Sequence, residues 1–414
     1  MAWNPSPTLT IGGVDYTGKT LETVRVTRGR EEVFAEPRAG YLFCELIDTD
    51  GNGIDADILD DVVLTVQDST DTPVTLFTGT VSDWGAVLYD PGTETGTGKS
   101  IVTIIAVGPL ATLNRRNVAV DGLPQQADGD RIAALVAAGL ARSWEETAGT
   151  WATVGDATST WDTIDTGYDP DLIDTPGVYQ IAALDAEVRG YNPLQQGYLT
   201  ALSGRGILYD TADGYVAYQD ANARETAAAN DGYLDIPASA LVASGIRTAS
   251  SFTDIVNRVT VTIDAGQVRI SDAESILEYQ VLSEAFELNL ANLSTAEDWA
   301  LDYLEDHYGP TINLDTITIR LDGITDDTLR DDLVTLDVNA PVSLEGIPST
   351  MGITDIPAFV EGIEWRINRE TVELRLNVSD AALSVGSIRW NLVPQTFAWD
   401  DAAATLTWEQ ARSL

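Results

Sequence analysis

The sequence predicts a β-rich α+β protein of several domains, in which short strands form barrels or sandwiches and short helices accompany smaller sheets. The chain has 414 residues, which exceeds what a single hydrophobic core usually organises. Apolar and polar residues alternate along both end regions, whereas helical spacing of apolar residues appears in only a few segments. We therefore expect several cores, most of them built from strands.

The first strand-rich region, residues 1–118, opens with the segment VRVTRGREEVFAEPRAGYLFCELID. Val24 and Val26 alternate with polar residues, and Tyr41, Phe43, Glu45 and Ile47 continue the period of two, which predicts two antiparallel strands. Further strands follow, separated by turns rich in Asp, Gly, Thr and Pro. The single cysteine, Cys44, lies in an apolar run, so we interpret it as a small buried strand residue.

Two segments in the middle of the chain have helical spacing. The segment DGDRIAALVAAGLARSW begins at a candidate N-cap, Asp128 or Asp130, and its apolar face consists of Ile132, Leu135, Val136 and Leu140. Residues 119–180 are predicted to be this helix followed by a long connecting arm, since residues 145–178 lack periodicity.

Residues 181–250 are predicted to form a small α+β domain. Asn192 is a candidate N-cap and Pro193 suits the first helical position, which places a helix there. The following segment ILYDTADGYVAYQD reads as two strands joined at an Asp-Gly turn. A helix packed on a small sheet follows from this arrangement.

The second strand-rich region, residues 251–386, contains one predicted helix. Ser294 and Glu297 form a candidate capping box, and Gly309-Pro310 is expected to end the helix. The side chains expected to supply its apolar contacts are Trp299, Leu301, Tyr303 and Leu304. Residues 387–414 are predicted to be a C-terminal arm that carries tryptophans.

The two strand-rich regions share a pattern near their ends. Phe77, Gly79, Val81 and Trp84 precede a turn and an alternating strand in the first region. The corresponding residues of the second region are Phe359, Gly362, Ile363 and Trp365. Either duplication or the chance similarity of two hairpins explains this pattern.

The formal net charge is -42, and lysine occurs only at Lys19 and Lys99. Such a chain repels polyanions, which argues against sequence-specific nucleic-acid binding. The acidity has two explanations: an acidic conduit along which DNA slides, or the composition bias of a high-GC or halophilic host. No apolar run is long enough to span a bilayer, and the N-terminus has no signal-peptide pattern, so we expect a protein made in the cytoplasm.

Three apparent motifs are weak. Gly13, Gly18, Lys19 and Thr20 match a phosphate-binding loop, but the residues that follow alternate like a strand instead of opening a helix, so we interpret the match as a turn. Asp48, Asp50 and Asn52 resemble the start of a calcium loop that lacks its final glutamate, and an acidic turn explains them better. His307, the only histidine, falls near a helix C-terminus, where a cation is stabilising.

No residue is predicted to be catalytic, and no cofactor or metal is predicted. The most informative side chains are instead tryptophans in aperiodic segments. They are predicted to be interface anchors, with packing against their own domain and sugar stacking as the alternatives: Trp151, Trp161, Trp390, Trp399 and Trp408.

The ordered segments VRVTRGREEVFAEPRAGYLFCELIDTDGNG and LFTGTVSDW resemble the opening of minor tail proteins of actinobacteriophages. Later segments are similar to the same family in the same order, namely DIVNRVTVT, STAEDWALDYLEDHYGP and VEGIEWRINRETVELRLNVSD. The resemblance covers about three-quarters of the chain, and its signal is the shared order of individually weak motifs.

This resemblance implies a tail-tip hub protein, akin to the baseplate hub of contractile phages, with two related β-barrel domains per subunit and a trimeric assembly. Three subunits with two barrels each form a pseudo-sixfold ring, which matches the sixfold tail tube above to a threefold tip below. The implied partners are the distal tail protein, the tape-measure protein and other minor tail or receptor-binding proteins, and the implied location is the tail tip of a virion. The alternatives are a distal tail ring or receptor-binding adhesin and, from another class, a carbohydrate-active hydrolase.

Overall fold

The computed structural model describes Trp3 and residues 5–20, 23–32, 35–36, 38–48, 53–90, 99–118, 122–140, 168–185, 190–249, 255–309, 313–347, 356–368 and 371–381. These residues form 21 strands and seven α-helices, which confirms a β-rich α+β fold. None of these helices has the length and apolar character needed to cross a bilayer.

The strands of the first region are β1 (Thr8–Ile11), β2 (Val14–Asp15), β3 (Val24–Gly29), β4 (Arg38–Asp48), β5 (Asp61–Gln67), β6 (Pro73–Asp90) and β7 (Lys99–Val107). The middle of the chain contains α1 (Pro109–Arg115), β8 (Gln126–Ala127), α2 (Asp128–Leu140), β9 (Tyr168–Ile173), β10 (Gln180–Ile181), α3 (Pro193–Ser203), β11 (Ile207–Asp210), β12 (Val216–Gln219), α4 (Ala223–Asp231), β13 (Leu234–Pro237) and β14 (Leu241–Ala249). The remaining elements are β15 (Arg258–Ile263), β16 (Gly266–Ser271), α5 (Ala273–Tyr279), β17 (Ser283–Glu287), α6 (Leu293–His307), β18 (Asn313–Arg320), α7 (Asp327–Thr335), β19 (Pro341–Glu345), β20 (Ile356–Ile367) and β21 (Val372–Asp380).

A 13-stranded sheet contains strands of both strand-rich regions, in the order β14-β18-β21-β20-β3-β4-β7-β6-β5-β1-β2. In addition, β19 pairs with β20, and β13 pairs with β19. Strand β3 joins the two regions, because Val26 pairs with Leu42 of β4 on one side and with Trp365 of β20 on the other. Among the described residues, this ladder runs from β14 to β2 without closing on itself.

Buried and partly exposed residues alternate along the strands of this sheet. On β4, Leu42, Cys44 and Leu46 are fully buried, while the residues between them are partly exposed. The same hydrophobic cluster includes Trp365 and Leu374 from the other region. The prediction that Cys44 is a buried strand residue is confirmed, and burial raises the pKa of its thiol to about 12.

We expect the Cys44 thiol to react at least about a hundredfold more slowly with Ellman's reagent in the folded protein than after unfolding in guanidinium. Burial excludes the reagent and disfavours the reactive thiolate. Absorbance of the released thiolate at mildly alkaline pH measures this rate. A thiol that reacts equally fast in both states would contradict the packing of β4.

The middle of the chain packs three helices against the small sheet β11-β12-β9. The predicted apolar face of α2 is confirmed, since Ile132, Leu135, Val136 and Leu140 are all buried. The Asn192 cap of α3 is also confirmed, because its side chain accepts a hydrogen bond of 3.0 Å from the Gln195 backbone N–H. The predicted hairpin is β11-β12.

Helix α6 packs on the sheet β16-β15-β17 through Trp299 and Tyr303. The predicted capping box is wrong, because Asn292 is the N-cap and accepts a hydrogen bond of 3.0 Å from the Thr295 backbone N–H. This leaves Ser294 inside the first turn. Leu301 is also 38% exposed, since a position two residues from Trp299 lies on the other side of a helix.

The predicted connecting arm is described only from Tyr168 onward, where β9 pairs in parallel with β12. The rest of that arm and residues 387–414 lie outside the described residues. The shared pattern of the two strand-rich regions falls on two hairpins, β6-β7 and β20-β21. The hairpins differ in burial, because Trp365 is fully buried whereas Trp84 is 49% exposed.

Candidate functional site: buried ionic junctions and an exposed strand extension

A buried carboxylate, Glu361 on β20, lies between two arginines from distant parts of the chain. Its Oε2 accepts a hydrogen bond of 2.6 Å from Nε of Arg30, the residue that follows β3. Its Oε1 accepts one of 2.6 Å from Nη2 of Arg224 on α4. Glu361 therefore ties the middle of the chain to the place where the two strand-rich regions pair.

Other side chains also form hydrogen bonds with Glu361 and Arg224. The hydroxyl of Ser379 donates to Glu361 Oε1 at 2.5 Å, and Arg224 Nε donates to Asn339 Oδ1 at 2.5 Å. The Arg224 guanidinium also lies 5.2 Å from the ring centroid of Phe359. Burial by itself raises the pKa of Glu361, but the guanidinium groups of Arg224 and Arg30 outweigh it and lower that pKa to about 2.

The charged atoms of this junction hydrogen bond to one another, which limits the reactions in which they could take part. A cavity of about 10 Å³ lies beside Arg30, between Tyr198 and Leu208, and has room for one water molecule at most. Two cations and one buried anion that satisfy each other stabilise a conformation and offer no free base or nucleophile. We therefore interpret the junction as a structural clamp.

Asp210, at the end of β11, forms a second clamp. Its Oδ2 accepts a hydrogen bond of 2.7 Å from the Gly40 backbone N–H, and its Oδ1 accepts one of 3.0 Å from the Leu110 backbone N–H. A side chain at Gly108 would overlap this carboxylate, so glycine is needed there. Burial raises the pKa of Asp210 to about 7, and the two backbone hydrogen bonds only partly oppose the rise.

Two further buried carboxylates lie on helices, one in the middle of the chain and one in the second strand-rich region. Asp128, the first residue of α2, accepts hydrogen bonds from the Tyr218 hydroxyl and from the Tyr179 backbone N–H. Asp306 on α6 pairs with the buried guanidinium of Arg205. Burial raises the pKa of Asp128 to about 6 and that of Asp306 to about 7.

We expect the free energy of unfolding to fall as the pH rises from about 4 to about 7. The folded-state pKa values of these three carboxyls lie above the unfolded value of 3.8, so the folded chain binds more protons in that window. Each carboxyl contributes a slope of at most about 1.4 kcal/mol per pH unit. Urea unfolding at a series of pH values measures the slope.

The variant Asp210→Asn tests the assignment, because it removes one of the three titrating groups. We expect a shallower dependence on pH between about 4 and 7 than in the unsubstituted chain, whatever its effect on stability at one pH. An unchanged slope would contradict the raised pKa of Asp210.

The outer half of β6 has a neighbouring strand on one side only, among the described residues. Strand β5 pairs with β6 only from Pro73 to Thr80, and the loop before β5 hydrogen bonds to Val81. Beyond that point, β6 pairs only with β7 among the described residues. Residues 83–89 are all exposed, including the large apolar side chains of Trp84 (49%), Val87 (67%), Leu88 (65%) and Tyr89 (65%).

The structure places the predicted motif residues as follows. Lys19 ends a short turn of 3-10 helix, and the chain then enters β3 instead of a helix, as expected for a turn. Asp48 is buried and accepts a hydrogen bond of 3.0 Å from the Gly53 backbone N–H. The other two residues of the calcium-like turn, Asp50 and Asn52, lie outside the described residues.

His307 lies in the last turn of α6, where its Nδ1 is 2.8 Å from the Tyr303 carbonyl oxygen and its ring stacks on that of Tyr303. No group of acidic, histidine or cysteine side chains suited to hold a metal occurs in the described part of the chain. The five tryptophans predicted to be interface anchors all lie outside it: Trp151, Trp161, Trp390, Trp399 and Trp408.

No motif in the sequence pointed to Glu361, Arg224 or Asp210. A partial signal existed, since Glu361 interrupts the apolar run AFVEGIEW and Asp210 follows the apolar residues ILY. A charged residue within a buried strand needs a partner, but the sequence does not indicate which one. Residues 83–89 gave no signal at all, because a largely apolar run is also typical of a buried strand.

Comparison with solved structures shows which known proteins share this fold. The 43 kDa tail protein of prophage MuSo2 from Shewanella oneidensis matches with a TM-score of 0.59 at 13% identity, over 92% of this chain and 99% of that one. The tail protein from Neisseria meningitidis MC58 matches with a TM-score of 0.57 at 12% identity, over 92% of this chain and 98% of that one. No protein-family model and no curated protein matches the sequence.

These two similarities extend over nearly the whole of each chain, so they concern the complete arrangement of strands and helices. At this level of identity they establish a shared fold. The chain thus shares its fold with these two tail proteins.

Proposed function

We propose that this chain is a structural, non-enzymatic subunit of a phage tail, located in the tail-tip hub. The observation that carries the proposal is the fold shared with two tail proteins, one of them from a prophage, over 92% of the chain. The order of motifs that resembles actinobacteriophage minor tail proteins supports it independently of the structure. The buried clamps suit a mechanical role, since they bind distant segments of the chain together.

In this proposal, three copies form the hub, and the two strand-rich regions of each copy act as two related β-barrel domains around the passage for DNA and the tape-measure protein. The shared hairpin pattern of β6-β7 and β20-β21 supports such a pairing of regions. The proposed domains are residues 1–118 and 251–386 for the barrels, 119–180 and 181–250 between them, and 387–414 as a docking arm. The proposed partners are the distal tail protein, the tape-measure protein and other minor tail proteins.

Disruption of the gene in the phage or prophage that carries it tests this function. We expect particles with full heads but without infectious tails, and restoration of infectivity when the chain is supplied from a plasmid. Mass spectrometry of purified particles is expected to detect the chain. Infectious particles that lack the chain would contradict the proposal, and polysaccharide hydrolysis by the purified chain would favour the hydrolase alternative.

A further inference from the structure

The outer half of β6 carries apolar side chains that the described part of the chain leaves exposed. We propose that residues 83–89 of one copy pair with the free edge of β14 in a second copy of this chain, so that copies join head to tail. The inference deepens the proposed function and rests on it, since it names a contact between subunits of the hub.

Apolar side chains are exposed on both faces of this part of β6. Successive residues of a strand point to opposite faces, so Trp84 and Leu88 lie on one face while Val87 lies on the other, and Tyr89 follows at a β-bulge. All four are at least 49% exposed. Half-buried strands of this chain, such as β4, expose one face only, so neither face of this extension belongs to the core.

One backbone edge of this part of β6 is also unpaired among the described residues. Beyond Val81, the side of β6 that faces away from β7 has no strand partner among the described residues. An unpaired edge with uncharged, apolar side chains is a template for another strand. The segment WGAVLY at positions 84–89 contains no charged residue, although charged residues make up 21% of the chain.

Charge and sheet topology favour a second copy of this chain as the partner of residues 83–89. Two copies that each carry a net charge of -42 repel each other, so they approach closely only where the contact surface is uncharged. The 13-stranded sheet also has a free edge at its opposite end, where β14 pairs only with β18 among the described strands. Two different edges on one subunit make a head-to-tail contact, which closes into a ring when the rotation between copies allows it.

Sedimentation velocity of the full chain at micromolar concentrations tests the surface. The double variant V87D/L88D adds one carboxylate to each face of the extension, and we expect it to weaken self-association by at least about 30-fold. The matched control L277D/V281D adds two carboxylates at exposed apolar residues of and just after α5, and we expect it to associate like the unsubstituted chain. Circular dichroism and thermal unfolding establish that both variants are folded.

Self-association that survives V87D/L88D, or an unsubstituted chain that remains a monomer, would overturn the inference. Hydrogen exchange then tests the partner edge, since we expect the amides of residues 83–89 and of β14 to become protected together on association. Protection of residues 83–89 alone would also overturn the head-to-tail contact. None of these results affects the presence of the chain in purified particles, so failure of this inference is distinguishable from failure of the proposed function.

Discussion

The variant Glu361→Gln is expected to lower the free energy of unfolding by about 3–5 kcal/mol, because removal of one partner of a buried ionic cluster leaves the others uncompensated. Glutamine preserves the shape of the side chain but removes the charge that Arg30 and Arg224 share. One half of its amide also directs N–H groups toward a guanidinium, which donates hydrogen bonds itself. Urea unfolding followed by tryptophan fluorescence measures the change.

The matched control is Glu31→Gln, which removes the same charge from an ion pair with Arg38 whose side chains are 66% and 67% exposed. Solvent screens such a pair, so the expected loss is below about 0.5 kcal/mol. Equal losses in the two variants would contradict the assignment of Glu361 to a buried clamp.

The effect of Glu361→Gln also depends on pH. The folded-state pKa of Glu361 is lowered from 4.5 to about 2, so its contribution to stability is complete above about 4.5 and is lost as the pH falls toward 2. The difference in stability between the two chains is therefore expected to shrink over that acidic window. A difference that stays constant would indicate that packing, and not charge, causes the loss.

The variant Gly29→Ala is expected to lower the free energy of unfolding by about 3–5 kcal/mol, because a Cβ there is both strained and crowded. Gly29 ends β3 with a φ of +84°, a conformation that L side chains rarely adopt. An added Cβ would overlap the Glu361 carbonyl oxygen and lie 2.8 Å from the Cα of Gly362. The strands β3 and β20 would then have to separate where the two strand-rich regions join.

The variant Gly13→Ala separates backbone strain from crowding of the Cβ. Gly13 has a similar φ of +78°, but no atom lies within 4 Å of the added Cβ. We expect a loss of about 1–2 kcal/mol for this variant, which represents backbone strain alone. Thermal and urea unfolding of the two variants measures the difference. If Gly29→Ala costs no more than Gly13→Ala, the close approach of β3 and β20 is contradicted.

The sequence predicted those features that depend on local interactions. The apolar face of α2, the Asn192 cap of α3 and the hairpin β11-β12 each depend on residues a few positions apart, which a pattern in the sequence shows directly. The capping box predicted for α6 was wrong for an equally local reason, because Asn292, two residues before Ser294, is the N-cap.

The sequence did not predict how distant segments meet. Arg30 and Glu361 lie 331 positions apart, and β3 pairs with β20 over a similar separation. Periodicity specifies which face of a strand is buried but not which strand lies beside it. For the same reason, Trp84 and Trp365 look equivalent in the sequence, although Trp365 has a strand on each side and lies in the core, whereas Trp84 is 49% exposed.

The location of the chain in a tailed particle tests the central claim most directly. Gold-labelled antibodies against the purified chain, applied to particles of the phage that encodes it, reveal this location by electron microscopy. We expect label at the tip of the tail, at the end opposite the head. Label along the shaft, at the head or on no particle would contradict a tail-tip hub.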